Sequence, residues 1–266
     1  MSLVAATVVR TAEEFIPPGP REFDLPPVFS VLGVGITKPI LELVLAAVLV
    51  FGFFFLAIRK RAMVPGKLQY IGEAGYGFVR NSVSRDIIGE HDYARYTPYL
   101  FALFFFILLN NFFGSVPFIN FPTFSQASMA YALAGLSWVI YNGAGIARHG
   151  FAGYLKLQCV PPNIGGPILA LLIPLEFFSN IVVRPVTLAL RLFANMFAGH
   201  LLIILFAVGG EYLLVEGALL LKPVGILAWV LFIAISFLEL LVQFLQAYVF
   251  VLLNAMYISG AVADEH

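Results

Sequence analysis

Apolar residues in this chain gather into a few long unbroken runs, not into the short alternating stretches of a half-buried sheet. The first run covers 39–58 and ends at Arg59, Lys60 and Arg61, with Lys67 beyond. The second, about 96–116, is rich in Phe and closes near Gly114 and Pro117. The third covers 127–147 and stops at Arg148 and His149, with Lys156 further on. Each is about 20 residues, enough for one helix to cross a hydrocarbon core of about 30 Å. The last two runs, about 165–208 and about 223–259, are longer. At about 1.5 Å per residue they would measure roughly 65 and 55 Å. Each would be either a hairpin of two spans or one long oblique helix. No Gly or Pro interrupts 226–259, so a single steeply tilted helix is expected there. Pro174 and Pro185 would kink the preceding helix without ending it.

Between these runs, residues 64–89 mix glycines, aromatics and charges. They are too polar to span and suit an amphipathic helix lying in the membrane interface. Residues 11–27, rich in Pro and charge, read as a polar tail. The pattern therefore predicts an all-α, polytopic membrane protein. It has about five membrane helices plus an interfacial one, and the last two are long and strongly tilted. Residues 1–37 form an N-terminal extramembrane tail and 38–266 the membrane domain. Cations after the first run fit its cytoplasmic end. That puts the N-terminus outside, the 156–162 loop inside, the 209–222 loop outside and the C-terminus in the cytoplasm.

Composition agrees. The 266 residues are 61% hydrophobic and 11% charged, with a mean hydropathy of +0.95. A soluble domain carries about a quarter charged residues. The net charge is zero, which gives no indication of nucleic-acid binding. Cys159 stands alone, so no intrachain disulfide or thiolate metal cluster can form, and it reads as a loop thiol. Residues 1–10 are too short for a signal peptide and lack its basic start. No GxxxxGKS nucleotide motif occurs.

The informative residues are the polar ones inside apolar runs. An Arg, Lys or Asp at a helix centre costs about 2.5–3.5 kcal/mol on insertion scales, and such groups usually face protein or water. Glu176, Arg184, Arg191, Asn195 and His200 lie in the fourth run. Thr187, Arg191 and Asn195 recur every four residues and so share a face. Ala194 and Ala198 lie within about 60° of it, so another helix can approach the guanidinium closely. His200 points about 180° away from Arg191. In the final run, Ser236, Glu239, Gln243 and Gln246 form a stripe at spacings of three, four and three. A polar stripe on an apolar helix suggests a wetted seam, expected to pack near His200. For Ser236 and the glutamines the plainer alternative is interhelical hydrogen-bond glue. Arg191 cannot lose its proton, and few acids lie at its depth, so its expected partner is a carboxylate on another subunit. Arg184 is read as snorkelling to the interface, Glu176 as a carboxylate able to line a second path, and Glu42 as bland.

Residues 184–200, Arg-Pro-Val-Thr-Leu-Ala-Leu-Arg-Leu-Phe-Ala-Asn-Met-Phe-Ala-Gly-His, resemble the signature of subunit a of rotary F-type ATP synthases. Residues 245–253, Leu-Gln-Ala-Tyr-Val-Phe-Val-Leu-Leu, resemble its second signature, in matching order and spacing. The resemblance implies a non-catalytic, proton-translocating stator subunit in a bacterial plasma membrane. Arg191 would be the essential arginine facing the carboxylates of the rotating c-ring and separating two half-channels. Asn195, His200, Glu239, Gln243, Gln246 and Ser236 would line the outer half-channel. Glu176 and Thr187 would line the inner one. His200 and Glu239 match a pair of positions that usually hold one acid and one His, here with the His first, as in mitochondrial members. Glu176 departs from the pattern: it lies nine residues before Pro185, where many relatives have eight. The implied partners are the c-ring of small apolar subunits, one or two copies of peripheral-stalk subunit b, the rest of the complex, and lipid. No nucleic acid, cofactor or metal is expected.

Two other classes compete with this reading. A stand-alone secondary transporter would use Arg191 to bind an anionic substrate, but such transporters often carry internal repeats, and none is visible. An intramembrane metalloenzyme would need more than His200 and Glu239, and no HExxH pair occurs among the four histidines.

Overall fold

The computed structural model describes residues 17–23, 26, 28–31, 34–59, 62–116, 119, 121–160 and 167–263. Residues 1–16 of the expected tail, and Lys60 and Arg61 of the cationic cluster, lie outside the described residues. One 3-10 turn occupies Pro20–Phe23. Strands β1 (Phe29–Val31) and β2 (Val34–Ile36) pair antiparallel, with Phe29 opposite Ile36. They form the only sheet among the described residues.

The remaining regular structure is helical: α1 (Lys38–Arg59), α2 (Lys67–Val79), α3 (Asp86–Ile88), α4 (Tyr93–Phe113), α5 (Ala127–Cys159), α6 (Pro167–Phe177), α7 (Arg184–Val215) and α8 (Lys222–Val262). Two π-helical segments, Arg80–Arg85 and Phe178–Val183, join α2 to α3 and α6 to α7. The fold is thus the all-α polytopic one. The 64–89 region is helical as expected, and it buries Gly72 and Val79 from α2 and Val83 from the π segment.

Four stretches are long and apolar enough to cross a membrane: Lys38–Arg59, Tyr93–Phe113, Leu171–Val215 and Leu219–Val262. The last two, at 45 and 44 residues, are about 65 Å long, twice the hydrocarbon core, so neither fits upright. The expected fifth membrane helix is α5, which is long enough at 33 residues but less apolar. Its polar groups are turned inward: Ser137 and Asn142 are buried, while Leu136, Val139 and Ile146 are exposed along one face.

Three boundaries differ from the sequence reading. The fourth run continues as helix past 208 to Val215, and α8 begins at Lys222, so the expected 209–222 loop shrinks to a turn around Leu219–Leu221. Gly210 does not break α7 because a Cβ there would lie only 2.7 Å from the Trp229 ring. Close packing offsets a glycine penalty of about 1 kcal/mol. The third run does not end at 147. Helix α5 turns at Gly150 (φ 71°, ψ 166°) and resumes to Cys159, so much of the expected 156–162 loop is helix or lies outside the described residues. Only glycine adopts that φ cheaply.

The described chain divides into two compact units. The larger takes Leu25–Phe197 and Leu240–His266. Its core stacks Leu100, Phe104 and Ile107 of α4 against α5, Leu192 and Met196 of α7, and Phe250 and Ile258 of α8. The spacing 100, 104, 107 is the signature of one buried helix face. The smaller unit contains Ala198–Glu239 with residues 17–23. Its two helical arms run antiparallel: Gly199 faces Glu239, Gly210 faces Ala228 and Trp229, and Leu214 faces Gly225.

Candidate functional site

In the smaller unit, the Glu239 carboxyl lies against the bare backbone of Gly199. A Cβ on that glycine would be 3.3 Å from Glu239 Cδ and 3.5 Å from Oε2. His200 is the next residue, so imidazole and carboxyl stand at the same level of the hairpin. Both are buried, at 3% and 4% exposure. The ring of Phe23 meets His200 edge-on, with centroids 6.0 Å apart. Ser236, one turn before Glu239, donates its hydroxyl to the Phe232 carbonyl at 2.8 Å and so bonds within its own helix.

In the larger unit, Asn195 Nδ2 donates to Gln246 Oε1 at 2.7 Å, joining α7 to α8. Gln243 is fully buried. Its Nε2 donates to Ser115 Oγ at 2.9 Å. Its backbone carbonyl accepts from Asn111 Nδ2 at 3.1 Å. Asn111 and Ser115 escaped the sequence reading. The available signal was the Asn110-Asn111 pair inside a Phe-rich run.

Arg191 is exposed on α7 and has no carboxylate partner among the described residues. Thr187, Ala194 and Ala198 are exposed as well. Thr187 Oγ1 lies 3.0 Å from both the Val183 and Arg184 carbonyls. The adjoining side of the helix, with Leu188, Leu192 and Met196, is buried. A permanent cation therefore stands on an uncovered, small-residue surface in the middle of an apolar helix.

Glu176 belongs to a separate polar cavity of about 230 Å³, lined by Leu157, Gln158, Glu176, Asn180, Arg184 and Gly260. Asn180 Nδ2 donates to the Gln158 carbonyl at 2.7 Å and to Glu176 Oε2 at 3.1 Å. Arg184 donates to Gln158 Oε1 at 3.3 Å, and its guanidinium lies 5.3 Å from the centroid of the Tyr257 ring. Arg184 is thus tied to its own protein, because the folded-back end of α5 brings Gln158 to it. Asn180 and Gln158 were not singled out from sequence, since only the turn at Gly150 places them together.

Between Glu176 and Pro185 the helix passes through the π-helical segment Phe178–Val183, where the Arg184 N–H reaches back five residues to the Ser179 carbonyl. In an unbroken α-helix, Glu176 and Arg184 would sit about 80° apart. With one residue absorbed in a π turn, they come within about 20° of alignment.

Glu42 is not bland. It is buried, accepts from Thr123 Oγ1 at 3.0 Å, and has Lys38 Nζ 3.9 Å away. It anchors α1 to the turn before α5. Among the described residues, no group of three His, Cys, Asp or Glu side chains gathers as a metal site.

Taken together, these features define a polytopic helical membrane protein with buried polar seams and an exposed arginine within an apolar helix. Residues 40–259 match the family described as ATP synthase A chain. ATP synthase subunit a of a Nocardioides species is 70% identical over 274 residues, covering 98% of this chain and 99% of that one. ATP synthase subunit a of Pseudarthrobacter chlorophenolicus is 47% identical over 266 residues, covering 99% and 100%. That of Streptomyces lividans is 41% identical over 233 residues, covering 86% and 80%. The chain belongs to the ATP synthase A chain family.

Proposed function

We propose that this chain is the non-catalytic, proton-translocating stator subunit of a rotary ATP synthase in a bacterial plasma membrane, with its N-terminus outside and C-terminus in the cytoplasm. Two offset half-channels carry protons to and from carboxylates on a ring of small apolar subunits. His200, Glu239, Asn195, Gln243, Gln246 and Ser236 line the outer path, and Glu176 and Thr187 the inner one. Peripheral-stalk subunit b, in one or two copies, and lipid cover other faces. Residues 1–37 stay outside the membrane domain 38–266.

The single observation that carries this reading is Arg191, an exposed guanidinium amid apolar helix with no carboxylate partner among the described residues. Such a group in lipid is costly. A carboxylate passing on another subunit removes that cost and is itself favoured in its ionised form by the cation. A ring carboxylate that has taken a proton can enter lipid, whereas an ionised one is held at Arg191. Each proton crossing the full potential gains about 2.3 kcal/mol per 100 mV. That energy turns the ring only if the half-channels stay unconnected, which a cation that never titrates ensures. The polar cavity that Glu176 shares with Gln158, Asn180 and Arg184 supports an inner path.

The test is ATP-driven proton pumping by vesicles whose complex carries Arg191→Ala. Pumping is expected to vanish while the complex remains assembled and hydrolyses ATP. Normal coupled pumping would refute the role of Arg191, and the chain working as a transporter without ring subunits would refute the stator reading.

A further inference from the structure

We propose that Trp138 is a positioning residue for proton transfer past Glu176, acting through the π-helical turn between α6 and α7. This rests on the reading of Glu176 as a residue of the inner path. The constraint originates at Pro185. In an α-helix, the carbonyl of residue 181 would accept from the N–H of residue 185. Proline has no N–H, and its ring crowds that same carbonyl. The Ile181 carbonyl is therefore left without its helical donor. A carbonyl orphaned inside an apolar protein is costly unless something else donates to it.

Trp138 supplies that donor. Its indole Nε1 lies 2.9 Å from the Ile181 oxygen, reaching across from α5. Trp138 is itself tied to the fold-back beyond Gly150. Asn142 Nδ2 donates to the Trp138 carbonyl at 2.7 Å, and the Tyr154 hydroxyl donates to Asn142 Oδ1 at 2.9 Å. The fold-back ends at Gln158, whose carbonyl and side chain hold Asn180 and Arg184. One continuous set of bonds thus grips the turn from both sides.

The π register decides which way Glu176 faces. With the extra residue absorbed, Glu176, Asn180 and Arg184 line one cavity. If the segment relaxed to plain α-helix, Glu176 would turn by about 100° relative to Arg184, one residue's rotation, and leave it. Trp138 touches no proton; it keeps the carboxyl aimed at the cavity. The length of the turn and the indole bond belong together: in a chain one residue shorter no π turn is needed to align Glu176 with Arg184, so the aim of the carboxyl would no longer depend on the tryptophan.

The experiment uses whole complexes in inverted vesicles and compares four variants by ATP-driven pumping per assembled complex. Trp138→Phe removes the N–H and keeps the ring, and a several-fold loss of pumping is expected. Deleting Val182, an exposed residue of the π turn, restores an eight-residue spacing to Pro185, so near-normal pumping is expected. Trp138→Phe combined with that deletion should pump like the deletion alone, a rescue that a purely structural tryptophan would not show. Glu176→Gln should be strongly impaired. Normal pumping by Trp138→Phe in the full-length chain, or its defect persisting in the shortened one, overturns the proposal while leaving the inner path standing. Normal pumping by Glu176→Gln removes the inner path and the proposal with it.

Discussion

Replacing Gly199 by alanine should separate stability from function in the outer seam. The new Cβ would meet Glu239 Cδ at 3.3 Å and Oε2 at 3.5 Å. Carbon atoms rest at about 3.5–4.0 Å, so the carboxyl must retreat by about 0.4 Å. The helix gains, since alanine is favoured over glycine by about 1 kcal/mol in a helix interior. Strain of similar size offsets this, so folding stability should stay within about 1 kcal/mol of the parent. Proton transfer is less forgiving. A misplacement of 1 Å can cost a hundred-fold, and scaling the logarithm to 0.4 Å gives roughly a six-fold loss. The assay is acidification of inverted vesicles by ATP, followed by dye quenching and normalised to intact complex on a native gel. Thermal unfolding in detergent gives the stability arm. Gly135→Ala is the control, because nothing lies within 4 Å of its Cβ position. It should raise stability and leave pumping alone. Unchanged pumping with Gly199→Ala, or an equal loss with Gly135→Ala, would refute the idea that Glu239 is seated on Gly199 for proton transfer.

Gly145→Ala should destabilise by about 1–3 kcal/mol in detergent melts, because its Cβ would overlap the buried Tyr154 ring and force it off Asn142. A double-mutant cycle of Asn195→Ala and Gln246→Ala, read by thermal stability, should return a coupling of about 0.5–1.5 kcal/mol for their 2.7 Å hydrogen bond. The Cys159 thiol is buried at the end of α5. Alkylation of the native protein should therefore be slow and jump on denaturation; rapid labelling of the native protein at pH 7 would contradict this. The Arg148–Asp92 ion pair is about one-third exposed on each side. Asp92→Asn should therefore cost less than about 1 kcal/mol, with the difference shrinking in high salt.

The sequence by itself determined the architecture, because each crossing helix must satisfy its own backbone bonds in lipid and so leaves an apolar run of fixed minimum length. It also singled out Arg191, since a cation that never titrates stands out in such a run without reference to its neighbours. The polar stripe of α8 was legible for the same reason. Periodicity could not set the helix ends, because at Gly210 and Gly150 a glycine either packs or turns according to what lies opposite. Nor could it find the partners of Gln243 and Arg184. Asn111 and Gln158 come from other helices and Ser115 from the turn after α4, and their proximity arises only when the chain folds back. The spacing of Glu176 from Pro185 looked like a departure from the family pattern. Only the tertiary structure showed that a π turn, with its orphaned carbonyl met by a tryptophan 43 residues earlier, absorbs the extra residue and turns the carboxyl into the cavity with Arg184.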